Sequence, residues 1–171
     1  MILGADLIIR KARAGDWPAL WSILQPVIRA GETYAIDPAL PEEAARAMWM
    51  EAPAATYLAE QGGDILGTYY IKTNAAGGGA HVCNCGYMVG EAARGRGVAG
   101  AMCAHSQEAA RALGYRAMQF NMVLCSNTGA IRLWEKMGYD TVGRLPRVFA
   151  HPSEGLVDAL VMYKWLEDTP A

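Results

Sequence analysis

The stretch GEAARGRGVAGAM, Gly90 to Met102, sets Arg94 and Arg96 among glycines at 95, 97 and 100. It follows an apolar run that ends in Tyr87-Met88-Val89. Glycine weakens regular structure, so its use here leaves backbone amides bare where a helix is about to start. A helix N-terminus has unsatisfied N–H groups and a partial positive charge. Two guanidinium groups beside it give an anion site, typically for phosphate or pyrophosphate. The alternative is a solvated turn with two surface arginines. Three phosphate-binding patterns compete. A Walker loop needs Lys-Ser or Lys-Thr after its last glycine, and neither follows. Gly95-x-Gly97-x-x-Gly100 spells the dinucleotide pattern, but Gly90 to Arg94 separate it from its strand. The acidic residue that pattern needs at the end of the next strand is also missing from AMQFNMVL. The third pattern is Arg94-x-x-Gly97-x-Ala99.

Other reactive side chains are sparse. Cys83, Cys85, Cys103 and Cys125 form no spaced pair suited to zinc, and no His pair completes a metal set, so no metal is expected. They read as reduced thiols, mostly in the core. Alternation puts His81, Cys83, Cys85 and Tyr87 on one strand face. Asn84 and Asn121 interrupt otherwise apolar strands. A buried amide there must be hydrogen-bonded. The two either pair across strands or face an opening between them and orient a substrate or a water.

The elements that must position these residues lie in a chain of 171 residues, most simply a single domain over 1–171. It is 53% hydrophobic and 19% charged with net charge −2, so neither nucleic acid nor membrane is an expected partner. No run approaches a membrane span, and MILGADLIIRKA lacks the basic and apolar regions of a signal peptide. A cytoplasmic protein is expected. Leu7 to Lys11 reads as a strand. Asp16 can cap a helix over Trp17–Ala30, and a second helix starts near Pro41 and runs to about Met50. TYLAE and ILGTYYIK flank a hairpin turn at Gly62-Gly63-Asp64. HVCNCGYMV is a strand, followed by a helix from about Gly97 to Leu113 that Gly114 stops. AMQFNMVL is a strand, SNTGAIRLWEKM a helix stopped by Gly138, and YDTVGRL and GLVDALVMYKWL are strands around a proline-containing connection. The result is a mixed α/β architecture whose sheet starts largely antiparallel.

Arg94-x-x-Gly97-x-Ala99 resembles the [QR]-x-x-G-x-[GA] motif of the GCN5-related N-acetyltransferase (GNAT) family. SNTGAIRLWEKMGY is similar to that family's N-x-x-A-x-x-[LF]-[YW]-x-x-x-G-[FY] segment, and the element order resembles its fold over nearly the whole chain. The resemblance implies a mostly antiparallel mixed sheet flanked by helices and splayed, at a bulge, between the fourth and fifth strands. It implies acetyl-CoA as cosubstrate. The pyrophosphate would lie on the amides of Gly95, Arg96, Gly97, Val98 and Ala99 with Arg94 alongside, and pantetheine along the backbone of Tyr87, Met88 and Val89. One of those amides, assigned to Tyr87, would polarise the thioester carbonyl. Asn127 and Trp134 of the second motif would also meet the cofactor. Many relatives have a tyrosine acid where Trp134 stands, and indole N–H is a poor acid, so that role does not transfer. Cys83 occupies the position of the glutamate base of histone-modifying relatives, and a thiol is a poor replacement. Glu32, Thr33 and Tyr34 fall in the loop that borders the acceptor site in such folds, with Glu32 a candidate base. The pair Phe120-Asn121 resembles a subgroup that includes yeast proline-analogue acetyltransferase, in which the Asn contacts substrate. The resulting expectation is acetyl transfer to a small-molecule amine, an amino acid or analogue, with Asn84 and Asn121 on the acceptor and a homodimer by analogy. The alternatives are a catalytically weak acyl-CoA-binding or sensor protein and, less well supported, a dinucleotide oxidoreductase.

Overall fold

The computed structural model describes residues 7–167. Its elements run β1 (Ile8–Lys11), α1 (Trp17–Ala30), α2 (Glu42–Arg46), β2 (Ala55–Gln61), β3 (Asp64–Thr73), β4 (Val82–Val89), α3 (Val98–Ala112), β5 (Ala117–Leu124), α4 (Thr128–Lys136), β6 (Asp140–His151) and β7 (Gly155–Trp165). The seven strands make one sheet in the order β1-β2-β3-β4-β5-β7-β6. Every pairing is antiparallel except β4 with β5. Gly62 and Gly63 both have positive φ and Gln61 pairs with Asp64, so β2 and β3 close through the tight turn that suits strand twist.

Strand alternation sorts the core into two layers. Tyr69, Cys83, Cys85, Tyr87, Met118 and Phe120 are buried with Met102 and Cys103 of α3 and Trp134 of α4. On the other face Leu58 and Met88 are buried with Leu20, Leu24 and Ile28 of α1 and with Trp49. Gly31 ends α1 at φ 63°, as a glycine stop should.

β4 and β5 pair only at Val82–Ala117 and Cys83–Met118, and beyond these rungs they diverge. The expected splay is present, and β5 carries a bulge just beyond the last shared rung. Phe120 pairs with Met162 and Val123 with Leu160, so Asn121 and Met122 share the place opposite Val161. An extra residue bends its strand, and β5 keeps its pairing with β7 on both sides of it. β4 keeps an unbroken register against β3.

Three local expectations are corrected. Asp16 does not cap α1. Its carboxylate accepts from the Arg13 N–H at 2.7 Å and from the Arg10 guanidinium, closing the short helical turn Ala14–Asp16. The second helix is α2 followed by a π turn over Ala47–Glu51, which brings Trp49 inward until it is fully buried. The proline-containing connection is mostly strand: β6 continues through Pro146 to His151. β6 is an edge strand and its register slips between Leu145 and Phe149, so the N–H that Pro146 lacks breaks no ladder rung. Arg147 takes φ 52° in that slip, and its N–H donates to Asp158.

Candidate active site

The divergence of β4 leaves one edge of that strand without a neighbouring strand. Tyr69 and Tyr87 face each other in the β3–β4 ladder, yet the N–H and C=O of Tyr87 both bond to the phenol of Tyr34. They therefore point into the gap. The N–H donates at 3.0 Å and the C=O accepts the phenol proton. Tyr34 sits in the loop between α1 and α2 and is half-buried. Burial of its hydroxyl pushes its pKa up to about 12. Glu32 is exposed and Thr33 half-exposed in the same loop.

β4 leads through a short helical turn at Glu91–Ala93 to Arg94 and on to α3. Gly95 and Gly97 have φ of 72° and 81°, conformations that favour glycine. Among the described residues no side chain caps α3, and a Cβ built on Gly95 would meet none of their atoms within 4 Å. Bare amides therefore lie open beside an exposed Arg94. Arg96 is half-buried and donates to Gln61 Oε1 at 2.6 Å. Val98 is buried and ties the first turn to the core, while Ala99 is half-buried. An open glycine cradle, a positive helix end and an exposed guanidinium suit a pyrophosphate.

The two asparagines have different settings. Asn84 is 8% exposed. Its Nδ2 donates to the Gln119 carbonyl at 2.9 Å, one residue past the last β4–β5 rung, and its Oδ1 lies 3.4 Å from the Tyr70 hydroxyl. Asn121 is exposed in the β5 bulge. Its Nδ2 donates to Asn74 Oδ1 at 2.7 Å, and its Oδ1 accepts from Gln119 Nε2 at 2.9 Å. Tyr70, Asn84, Gln119, Asn121 and Asn74 thus form a polar chain across β3, β4, β5 and the loop after β3. The two asparagines do not bond to each other. Reading residues singly missed Tyr70, Gln119 and Asn74. One signal was present in Gly86, a glycine inside an apolar strand. A Cβ on Gly86 would come within 2.7 Å of the Tyr70 ring, so only glycine lets that ring lie across β4 towards Asn84.

The remaining candidates are placed as follows. The Tyr87 side chain points away from the gap, and its hydroxyl bonds Ser106 and reaches Met118 Sδ, so only its backbone faces the opening. The Met88 side chain packs in the α1 layer, and Val89 is half-buried at the strand end. Trp134 is buried, with its ring centroid 5.0 Å from Tyr87 and 5.1 Å from Phe120. The structure thus gives it core packing. Asn127 caps α4 by accepting from the Ala130 N–H at 3.2 Å. Cys83 and Cys85 are buried, and burial raises the Cys85 thiol well above its ordinary pKa. His81 is exposed, edge-on to Trp165. Among the described residues no helix is long and apolar enough to cross a membrane.

Residues 17–139 match the family model described as "Acetyltransferase (GNAT) family". The chain is 33% identical over 100 residues to N-acetyltransferase aca1 of Schizosaccharomyces pombe, a match covering 57% of this chain and 47%, about half, of that relative. A solved GCN5-related N-acetyltransferase from Kribbella flavida superposes with a TM-score of 0.89 at 41% identity, covering 94% of this chain and 98% of the other. A phosphinothricin acetyltransferase from Sinorhizobium meliloti, solved in complex with acetyl-CoA, shares the fold with a TM-score of 0.83 at 18% identity. That superposition covers 97% of this chain and 94% of the other.

Proposed function

The chain belongs to the GNAT acetyltransferase family, and from that premise we propose that it transfers the acetyl group of acetyl-CoA to the amine of a small molecule, an amino acid or analogue. One observation carries the reading. The sheet opens between β4 and β5 so that the Tyr87 N–H faces the gap, on the strand that leads into the uncapped N-terminus of α3.

Arg94 and the amides from Gly95 to Ala99 would hold the pyrophosphate, and Arg96 would join them by turning from Gln61. The β4 edge from Tyr87 to Val89 would pair with pantetheine. When bound, acetyl-CoA supplies an activated thioester. The chain's contribution at the reacting carbon is the Tyr87 N–H, a fixed donor for the negative charge that develops on the carbonyl oxygen. The acceptor would approach over Asn84, Gln119 and Asn121. Asn121 can both donate and accept, which suits an amine flanked by a carboxylate. A lysine-like amine has a pKa of about 10.4 and must lose a proton before it attacks. Glu32, exposed in the adjoining loop, would receive that proton through water. The leaving thiolate has a pKa of about 8.5 and needs little help, which agrees with a buried Trp134 where relatives keep a tyrosine.

Titration calorimetry with acetyl-CoA, followed by thiol release across a panel of amino acids and analogues, tests this reading. Binding with release on one class of amine is the expected result. Binding without release on any amine would favour the acyl-CoA-binding alternative, and absence of binding would refute both.

A further inference from the structure

Among the described residues, Tyr34 is the one side chain that bonds the backbone proposed to activate the thioester. We infer that Tyr34 is a positioning residue of the transfer site: in the free enzyme its phenol oxygen holds the Tyr87 N–H in place of the thioester carbonyl, and acetyl-CoA displaces it. The inference rests on the function proposed above.

The geometry is specific. A neutral phenol carries one O–H donor and an oxygen that accepts. Tyr34 uses both on one residue, accepting from the Tyr87 N–H and donating to the Tyr87 C=O, across 53 residues of sequence. Because burial lifts its pKa to about 12, the phenol keeps its proton through neutral pH and the double contact persists. The contact also has a reason to exist. The splay strips Tyr87 of a strand partner, and an unpaired backbone N–H and C=O away from water are costly. Phenylalanine would fill the same space and leave both groups unmet.

The contact cannot coexist with the proposed chemistry. An N–H makes one well-directed hydrogen bond at about 2.9–3.0 Å. The Tyr34 oxygen already stands 3.0 Å from the Tyr87 nitrogen, so a carbonyl oxygen placed there must take its position. Displacing the phenol releases the loop that carries Thr33 and Glu32, one and two residues earlier. Cofactor occupancy is thereby read out on the acceptor side. The free enzyme's affinity for acetyl-CoA is reduced by the fraction of molecules in which the phenol holds the amide.

The test compares wild type with Tyr34→Phe. Amide hydrogen exchange in the free proteins should show Tyr87 protected in wild type and exchanging about tenfold faster in the variant. Calorimetry should show acetyl-CoA binding Tyr34→Phe about three- to tenfold more tightly. CoA, which lacks the thioester carbonyl, should gain much less. In wild type, adding acetyl-CoA should speed exchange across residues 31–40 while Tyr87 stays protected. Equal Tyr87 exchange in the two free proteins would overturn the inference, as would an equal or weaker acetyl-CoA affinity in the variant. If neither protein bound acetyl-CoA, the proposed function would fall and the displacement with it. Tyr87 protection that depends on the Tyr34 hydroxyl in the free protein would then show that the contact itself was right.

Discussion

Asn84→Ala separates the structural work at the apex of the splay from the chemistry below it. Asn84 follows the last β4–β5 rung, and its Nδ2 supplies the Gln119 carbonyl with the donor that a further rung would have given. Truncation removes this 2.9 Å bond and leaves the carbonyl without it in a setting where Asn84 is only 8% exposed. A neutral hydrogen bond contributes about 1 kcal/mol net, and an orphaned buried partner costs about 1–3 kcal/mol. The 3.4 Å contact from the Tyr70 hydroxyl is long and adds little. A loss of about 2 kcal/mol follows. For a chain of this size that lowers the melting temperature by roughly 4–8 °C. Thermal unfolding followed by circular dichroism on the free protein measures it. Asn84→Asp should be worse than alanine at neutral pH, because a carboxylate would face the Gln119 carbonyl, and should recover as the pH falls and the acid is protonated. An alanine variant melting within about 1 °C of wild type would refute the argument that this amide closes the top of the opened sheet.

Gly97→Asp should abolish acetyl-CoA binding by calorimetry, because it puts negative charge at the bare N-terminus of α3. Gly97→Asn, which tolerates φ 81° without charge, should retain much of that binding. Asn121→Ala should raise the amine KM or lower kcat with acetyl-CoA affinity unchanged. Because Asn121 is exposed, its melting temperature should fall by no more than about 2 °C. Acetyl-CoA mixed with enzyme alone should leave no acetyl adduct by mass spectrometry, since burial keeps the Cys85 thiol protonated; a stoichiometric adduct on Cys83 or Cys85 would overturn direct transfer to the amine.

The parts of the fold legible in the sequence were those set by local rules. α1 runs from Trp17 to Ala30, as the run after Asp16 indicates, and β5 occupies the eight residues of AMQFNMVL. YDTVGRL ends short of β6 because a proline-containing stretch reads as a connection, which fails on an edge strand inside a register slip. Asp16 stands where a helix cap belongs, but Arg10 and the Arg13 N–H hold its carboxylate. The glycine-arginine turn was legible because its chemistry resides in consecutive residues. The gap it serves followed only from the family resemblance, because the rungs that β4 and β5 share and the bulge of β5 against β7 exist only in strand pairing. Tyr34 was named for its loop, and nothing local to AGETYA shows that its hydroxyl meets a backbone 53 residues away.

A sheet that opens to admit a ligand must satisfy the groups it unpairs while the ligand is absent. Among the described residues two side chains do so, and their attachments differ. Asn84 lies within β4 and bonds the neighbouring strand, so nothing short of unfolding the apex exchanges its partner. Tyr34 hangs from a loop and bonds the strand edge three residues further along, where the gap is established. A ligand that offers a carbonyl oxygen competes with an oxygen and can replace it, but it cannot replace the Nδ2 donor of Asn84. Truncating the two side chains should therefore act in opposite directions. Loss of the Asn84 amide weakens the fold and gains nothing in cofactor affinity. Loss of the Tyr34 hydroxyl strengthens cofactor binding because it removes the occupant that the cofactor has to displace.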